Sequence, residues 1–173
     1  MTRAELEHIL RAAVAITGRR EWVIVGSQAI LGACPDAAAE LLVSQEADIY
    51  SPEDEDASDL IDGTIGERSP FHETFGYYAH GVGPRTAVLP SGWRSRAVRV
   101  EGPATGGAVG LCPDPADLAI SKLVAWREKD REFVAAILRH GIASPGELRS
   151  RTEELAAALG REVLERIARL TRS

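Results

Sequence analysis

Trp22-Val23-Ile24-Val25-Gly26-Ser27-Gln28-Ala29-Ile30-Leu31, followed later by Gln45-Glu46-Ala47-Asp48-Ile49-Tyr50, decides how the chain folds. The first run reads as a short buried strand that ends at a Gly-Ser turn and leads into a helix. The second reads as a strand, in which residues i and i+2 share a face. Glu46 and Asp48 therefore stand side by side, and two such carboxylates repel unless a cation sits between them. A Gly-Ser turn opening a helix offers backbone N–H groups to phosphate. Carboxylate pair, divalent metal and phosphate turn together point to phosphoryl or nucleotidyl transfer.

Outward from this stretch the elements alternate. Thr2-Arg3-Ala4-Glu5 is a capping-box pattern, and Leu6, Ile9, Leu10, Ala13 and Val14 make one apolar helical face that Gly18 terminates. Ser27–Ala33 reads as a short helix ended by Cys34-Pro35, and 36–44 is open between helix and loop. Ser51-Pro52 reads as an N-cap with Pro at N1, opening an acidic helix to about Gly63. The Gly-, Pro- and aromatic-rich middle, 66–111, offers β-like runs at Phe75–Ala79, Thr86–Leu89 and Ala97–Val100, predicting a meander. Beyond Pro113 the pattern is helical: Pro115–Arg127, Lys129–His140, a helix opened by Ser144-Pro145, and an amphipathic Thr152–Leu170. The expectation is an α/β (α+β) fold, with a mixed core over 1–112 and a helical part over 113–173 packed on it as one unit.

The composition suits one globular domain of 173 residues with 45% hydrophobic content. A net charge of −6 argues against a general nucleic-acid coating protein but leaves room for a local basic patch. The charge is unevenly spread. Residues 46–67 hold nine acids and no Lys or Arg, whereas 84–140 hold nine Lys/Arg against six acids, a polarity suited to binding a nucleotide and its metal together. The acidic run also fits a plain solvated helix. No leader and no apolar run of about 20 residues is evident, so a cytoplasmic protein with no membrane association and with Cys34 and Cys112 reduced is expected.

A second constellation is Asp117-Leu118-Ala119-Ile120-Ser121-Lys122-Leu123-Val124-Ala125-Trp126-Arg127-Glu128-Lys129-Asp130. Lys122 either snorkels from an apolar helix or contacts a triphosphate as a point charge. If the helix continues, Asp130 returns to the face of Lys122 and either orients it, completes the acidic site or pairs at the surface. A third group, 71–81, holds His72 and His80, which suit metal binding, acid–base chemistry, or a structural or rim-lining place, and Tyr77 and Tyr78, which suit either core packing or base stacking. Arg85, Arg94, Arg96 and Arg99 give this region a positive tilt suited to an RNA backbone, and Arg127 adds to it. Trp93 reads as a core or turn anchor.

The motifs V-I-V-G-S-Q-A-I-L, S-Q-E-A-D-I-Y, F-H-E-T-F-G-Y-Y-A-H-G-V, A-V-L-P-S-G-W and D-L-A-I-S-K-L-V-A-W-R-E-K-D resemble those of the nucleotidyltransferase superfamily, specifically its AbiEii/MenT-type toxin branch. The resemblance covers about residues 20–140. It implies a mixed sheet flanked by helices and Mg²⁺-dependent transfer of a nucleoside monophosphate from an NTP to the 3′ end of tRNA. It also implies a cognate antitoxin. On this chain Gly26 and Ser27 match the phosphate-holding turn, and Glu46 and Asp48 match the metal-binding acids, with Glu where many members have Asp. Lys122 matches the triphosphate lysine and Asp130 the later acid of the Lys-Asp motif. No third acid on a neighbouring strand is obvious; Glu101 is the candidate. A protein or small-molecule hydroxyl is an alternative acceptor, and a catalytically inactive binding module is the rival from another class.

Overall fold

The structure, a computed structural model, describes residues 1–172. Helix α1 (Arg3–Thr17) is set by its ends: Thr2 and Glu5 cap each other reciprocally, and Gly18 closes the helix in the left-handed conformation. Its stripe of Leu6, Ile9, Leu10 and Ala13 is fully buried, in one core with Trp22 and Ile24 of β1 (Glu21–Val25).

Among the described residues the strands form one five-stranded mixed sheet, in the order β3-β2-β1-β5-β4. These are β2 (Glu46–Tyr50), β3 (Tyr78–Gly81), β4 (Val98–Val100) and β5 (Val109–Cys112). The apolar β1 is central, antiparallel to β2 and parallel to β5, while β2 and β3 are parallel and β4 and β5 antiparallel. A parallel pair needs a crossover, and α2 (Ala57–Ile65) with α3 (Pro70–Phe75) supplies it between β2 and β3.

The two faces of the sheet differ. One joins the main core, shared with α1, α2, α5 (Pro115–Ala125), α6 (Glu128–Arg139), α7 (Pro145–Thr152) and α8 (Ala157–Leu170). The other carries a small cluster of Val23, Val25, Tyr50, Val82 and Leu111, covered by Ala87, Trp93 and Ala97. Glu46 and Asp48 alternate with buried Ala47 and Ile49, which directs them to this second face.

A buried ion cluster pins the cover. Asp117 of α5 has no exposed side-chain surface and receives two hydrogen bonds of 2.9 Å from Arg96, at the end of α4 (Trp93–Arg96), plus an ion pair with Arg151 of α7 at 3.2 Å. Arg96 also donates to Glu154 at 3.0 and 2.9 Å.

Several expectations are corrected here. The middle of the chain is not a meander, because β3 and β4 lie at opposite edges of the sheet. Thr86–Leu89 is irregular, and Phe75 ends a helix capped by Ser69 with Pro70 at N1, so the strand begins at Tyr78. The acidic helix starts at Ala57, not Ser51, because Ser51 is buried and bridges to Asp54. The segment after Gly26 is a 3-10 helix, Ser27–Gly32. Thr152–Leu170 is broken between α7 and α8. Among the described residues no helix is long and apolar enough to cross a membrane.

Candidate active site

Gly26 ends β1 with φ 70° and ψ −169°, a combination essentially reserved for glycine. The register pairs Val25 with Asp48, so the turn lies directly against that carboxylate. A Cβ at position 26 would sit 2.2 Å from Asp48 Oδ2, well inside contact distance. Gly26→Ala therefore combines backbone strain with overpacking, and a loss of about 2–4 kcal/mol is expected. Thermal unfolding measures this; an unchanged midpoint would mean that the turn relaxes freely.

The parallel register of β2 and β3 places Tyr78 beside Glu46 and His80 beside Asp48. Tyr78 Oη donates to Glu46 Oε2 at 2.8 Å, and His72 stacks on the Tyr78 ring with centroids 4.5 Å apart. His80 Nδ1 lies 3.0 Å from Asp48 Oδ1 and 3.6 Å from Glu46 Oε1. One ligand atom from each of Glu46, Asp48 and His80 falls within 4.8 Å of the others.

Burial, followed by the neighbouring Glu46 carboxylate, pushes the Asp48 carboxyl up to about 6. Burial also acts to raise Glu46, but the Tyr78 hydroxyl, the hydrogen bond with Asp48, and the charges of His80 and Lys129 outweigh it and hold Glu46 below its ordinary value. The pair thus retains one proton, on Asp48, in mildly acidic solution. Burial works to lower His80; its bond to Asp48 and the charges of Asp48, Asp62 and Glu46 prevail and raise it. Two converging carboxylates that hold on to a proton are a donor set that fits a divalent cation.

These groups open onto a cleft of about 990 Å³, lined also by Gly26, Ser27, Ser121, Lys122, Arg127 and Lys129. Lys122 is nearly buried, with 11% of its side chain exposed; it sits 3.4 Å from Asp130 Oδ1 and over the Phe133 ring. Burial lowers its pKa, and Asp130 compensates only in part. Asp130 does not reach Lys122 along one continuous helix. Trp126 adopts left-handed backbone at φ 57°, α5 ends, and α6 begins after Arg127. The fully buried Asp130 caps α6 by accepting from Arg127 N–H at 3.2 Å and Arg127 Nε at 2.7 Å. Its carboxylate stands behind Lys122 and is not joined to the Glu46–Asp48 pair, so its place is that of an orienting anion.

Other expected contacts are dispersed. Arg96 is committed to Asp117 and Glu154 and offers RNA no free cation, which corrects its assignment. Arg94 pairs with Glu21 at the start of β1, about 17 Å of strand from Gly26. Arg85 is exposed beside Glu55 and Thr86 in a separate depression. Arg127 lies on the cleft. Glu101 is exposed, pairs with Arg99 and follows the edge strand β4, so it does not serve as a third acid. Tyr77 is buried among His8, Phe71 and Phe75, and its hydroxyl meets His8 Nδ1 at 2.6 Å. Trp93 packs on the small sheet cluster.

A family profile described as nucleotidyltransferase of unknown function (DUF6036) matches residues 4–157. The chain belongs to this family. Searches of curated proteins and of solved structures returned no match. In this nucleotidyltransferase the sequence pattern singled out Gly26, Ser27, Glu46, Asp48 and Lys122, all of which line one cleft. The sequence leaves His80 open between metal binding, acid–base chemistry and the rim, and it does not connect Tyr78 with the acidic site. The signal for them is the β2–β3 register, which the early placement of the strand at Phe75–Ala79 obscured.

Proposed function

We propose that this nucleotidyltransferase is Mg²⁺-dependent and moves a nucleoside monophosphate from an NTP to the 3′ end of tRNA, acting as a growth-inhibiting toxin held in check by a cognate antitoxin. The observation that carries the transfer chemistry is the convergence of Glu46, Asp48, Ser27 and Lys122 on one cleft. A divalent cation held by Glu46 and Asp48 would neutralise triphosphate charge and polarise the α-phosphate. Gly26 leaves room for phosphate to approach backbone, and Ser27 offers a hydroxyl and an N–H. Lys122, steadied by Asp130, offsets the remaining phosphate charge. The acceptor hydroxyl gives its proton to solvent and forms a bond to the α-phosphorus as the bond from that phosphorus to the oxygen bridging the β-phosphate breaks and pyrophosphate leaves. Lys129, with the exposed side of Arg127 beyond its bond to Asp130, supplies positive charge along the cleft for an RNA backbone. The tRNA acceptor, the toxin role and the antitoxin rest on the resemblance of the sequence motifs.

The test is purified protein with Mg²⁺, each labelled NTP, and separated tRNA, protein and metabolite fractions, with Asp48→Asn as control. Label on tRNA that depends on Asp48 is expected. Label on protein or on small molecules would replace the acceptor, and no label anywhere would favour a binding module.

A pH dependence follows from the shared proton. Below about 6 the cation must displace the proton from Asp48. Its affinity should therefore rise with pH through about 6, and rise further as His80, held above its ordinary value, gives up its proton. Calorimetric Mg²⁺ titration between pH 5 and 8 measures this, and a flat profile would contradict a protonated pair.

A further inference from the structure

We propose that His80 is a third protein ligand of the divalent cation, and that the resulting centre binds Mn²⁺ in preference to Mg²⁺. This rests on the reading of Glu46 and Asp48 as metal ligands and adds a donor and a selectivity to it.

The argument starts from which atoms are free to converge. Glu46 Oε2 is engaged by the Tyr78 hydroxyl, so Oε1 is the oxygen that faces His80. Asp48 Oδ2 lies against Gly26, so Oδ1 is the oxygen that faces His80. The parallel register puts His80 directly across from Asp48 on the same face, with Nδ1 turned toward both carboxylates. Three atoms from three side chains thus surround one point. Bonds of about 2.1 Å in an octahedral shell put neighbouring ligand atoms about 3 Å apart. The separations of 3.0 and 3.6 Å from Nδ1 to the two oxygens come close to that edge. Half of the His80 side chain is exposed, so the ring closes the centre from the solvent side and leaves the other positions to water and phosphate oxygens.

The same atoms set the selectivity. Mg²⁺ favours an all-oxygen shell, whereas an imidazole nitrogen adds more to the binding of first-row transition ions. Two carboxylates and one imidazole therefore shift the balance toward Mn²⁺. A site with only Glu46 and Asp48 would lack that bias.

The experiment uses the full chain, freed of metal by chelation and titrated with Mn²⁺. Electron paramagnetic resonance of free Mn²⁺ gives the affinity, and electron spin echo modulation of the frozen complex reports directly bound ¹⁴N. One Mn²⁺ per chain with imidazole ¹⁴N coupling is expected. His80→Gln, at an exposed position whose folding is checked by circular dichroism, should lose the coupling and weaken Mn²⁺ by roughly 10–100-fold. Competition should show Mg²⁺ displacing Mn²⁺ only in large excess from the wild type, and with less excess from His80→Gln. Mn²⁺ bound without ¹⁴N coupling, or coupling that survives in His80→Gln, overturns His80 as ligand and leaves the carboxylate centre standing. Mg²⁺ competing on equal terms overturns the selectivity. No Mn²⁺ binding, or binding indifferent to Asp48→Asn, overturns the metal centre itself.

Discussion

Asp48→Asn at pH 7.5, in the presence of chelator, should raise the unfolding midpoint by about 2–4 °C while lowering nucleotidyl transfer at least 100-fold. The two effects have one cause. The Asp48 carboxyl sits at about 6 in the folded chain, above its ordinary 3.8. A group raised in this way contributes stability when protonated, and that contribution is lost as pH climbs through about 6. At pH 7.5 the ionised carboxylate therefore works against folding, by a gross amount of about 3 kcal/mol. Glu46 is displaced in the opposite direction and returns part of this. Asparagine removes the charge at nearly constant volume, and with it the cation ligand. Scanning calorimetry and a labelled-NTP assay on the same preparation check both halves. A midpoint that falls together with activity would show Asp48 to be a structural residue.

The second large effect lies away from the chemistry. Asp117→Ala should cost about 3–5 kcal/mol, because it takes a fully buried anion away from two largely buried arginines, of which Arg96 keeps only Glu154. Arg96 loses both of its bonds to Asp117, and Arg151 loses its ion pair. The midpoint should drop by about 6–20 °C, at roughly 2–4 °C per kcal/mol for a chain of this size. Arg96→Ala should reproduce much of that loss, since it strips Asp117 of its bidentate partner. Denaturant titration measures both, and a loss under 1 kcal/mol for Asp117→Ala would mean that the cluster relaxes into solvent. The pair of variants also separates two roles for Arg96: an RNA contact would weaken tRNA binding without touching stability.

Much of the fold near the site was legible because its signals are local. The W-V-I-V run, the glycine after it and the alternation of Glu46-Ala47-Asp48-Ile49 each report on the backbone that carries them. The same holds for the capping box of α1. Where the reading failed, the determinant lay elsewhere in space. Phe71 and Phe75 invite a β interpretation, yet Ser69 and Pro70 cap a helix that sets both rings against His8. Strand β5 is only four residues long, and its Gly110 lies under the terminal methyl groups of Ile24 and Leu10, each 2.8 Å from where a Cβ would stand. Asp130 does meet Lys122, but around a corner made by a left-handed Trp126, a conformation that no property of tryptophan announces. His80 became part of the site only through pairing between strands about 30 residues apart, and Arg96 left it by finding Asp117.

The contact between Gly26 and Asp48 has an evolutionary corollary. The outer oxygen of that acid occupies the volume that any side chain at 26 would need. A methyl group at 26 would meet that oxygen and, whatever stood at 48, would strain a backbone conformation suited to glycine, so the constraint on 26 is twofold. Descent that retains the carboxylate thus also retains the bare backbone opposite it.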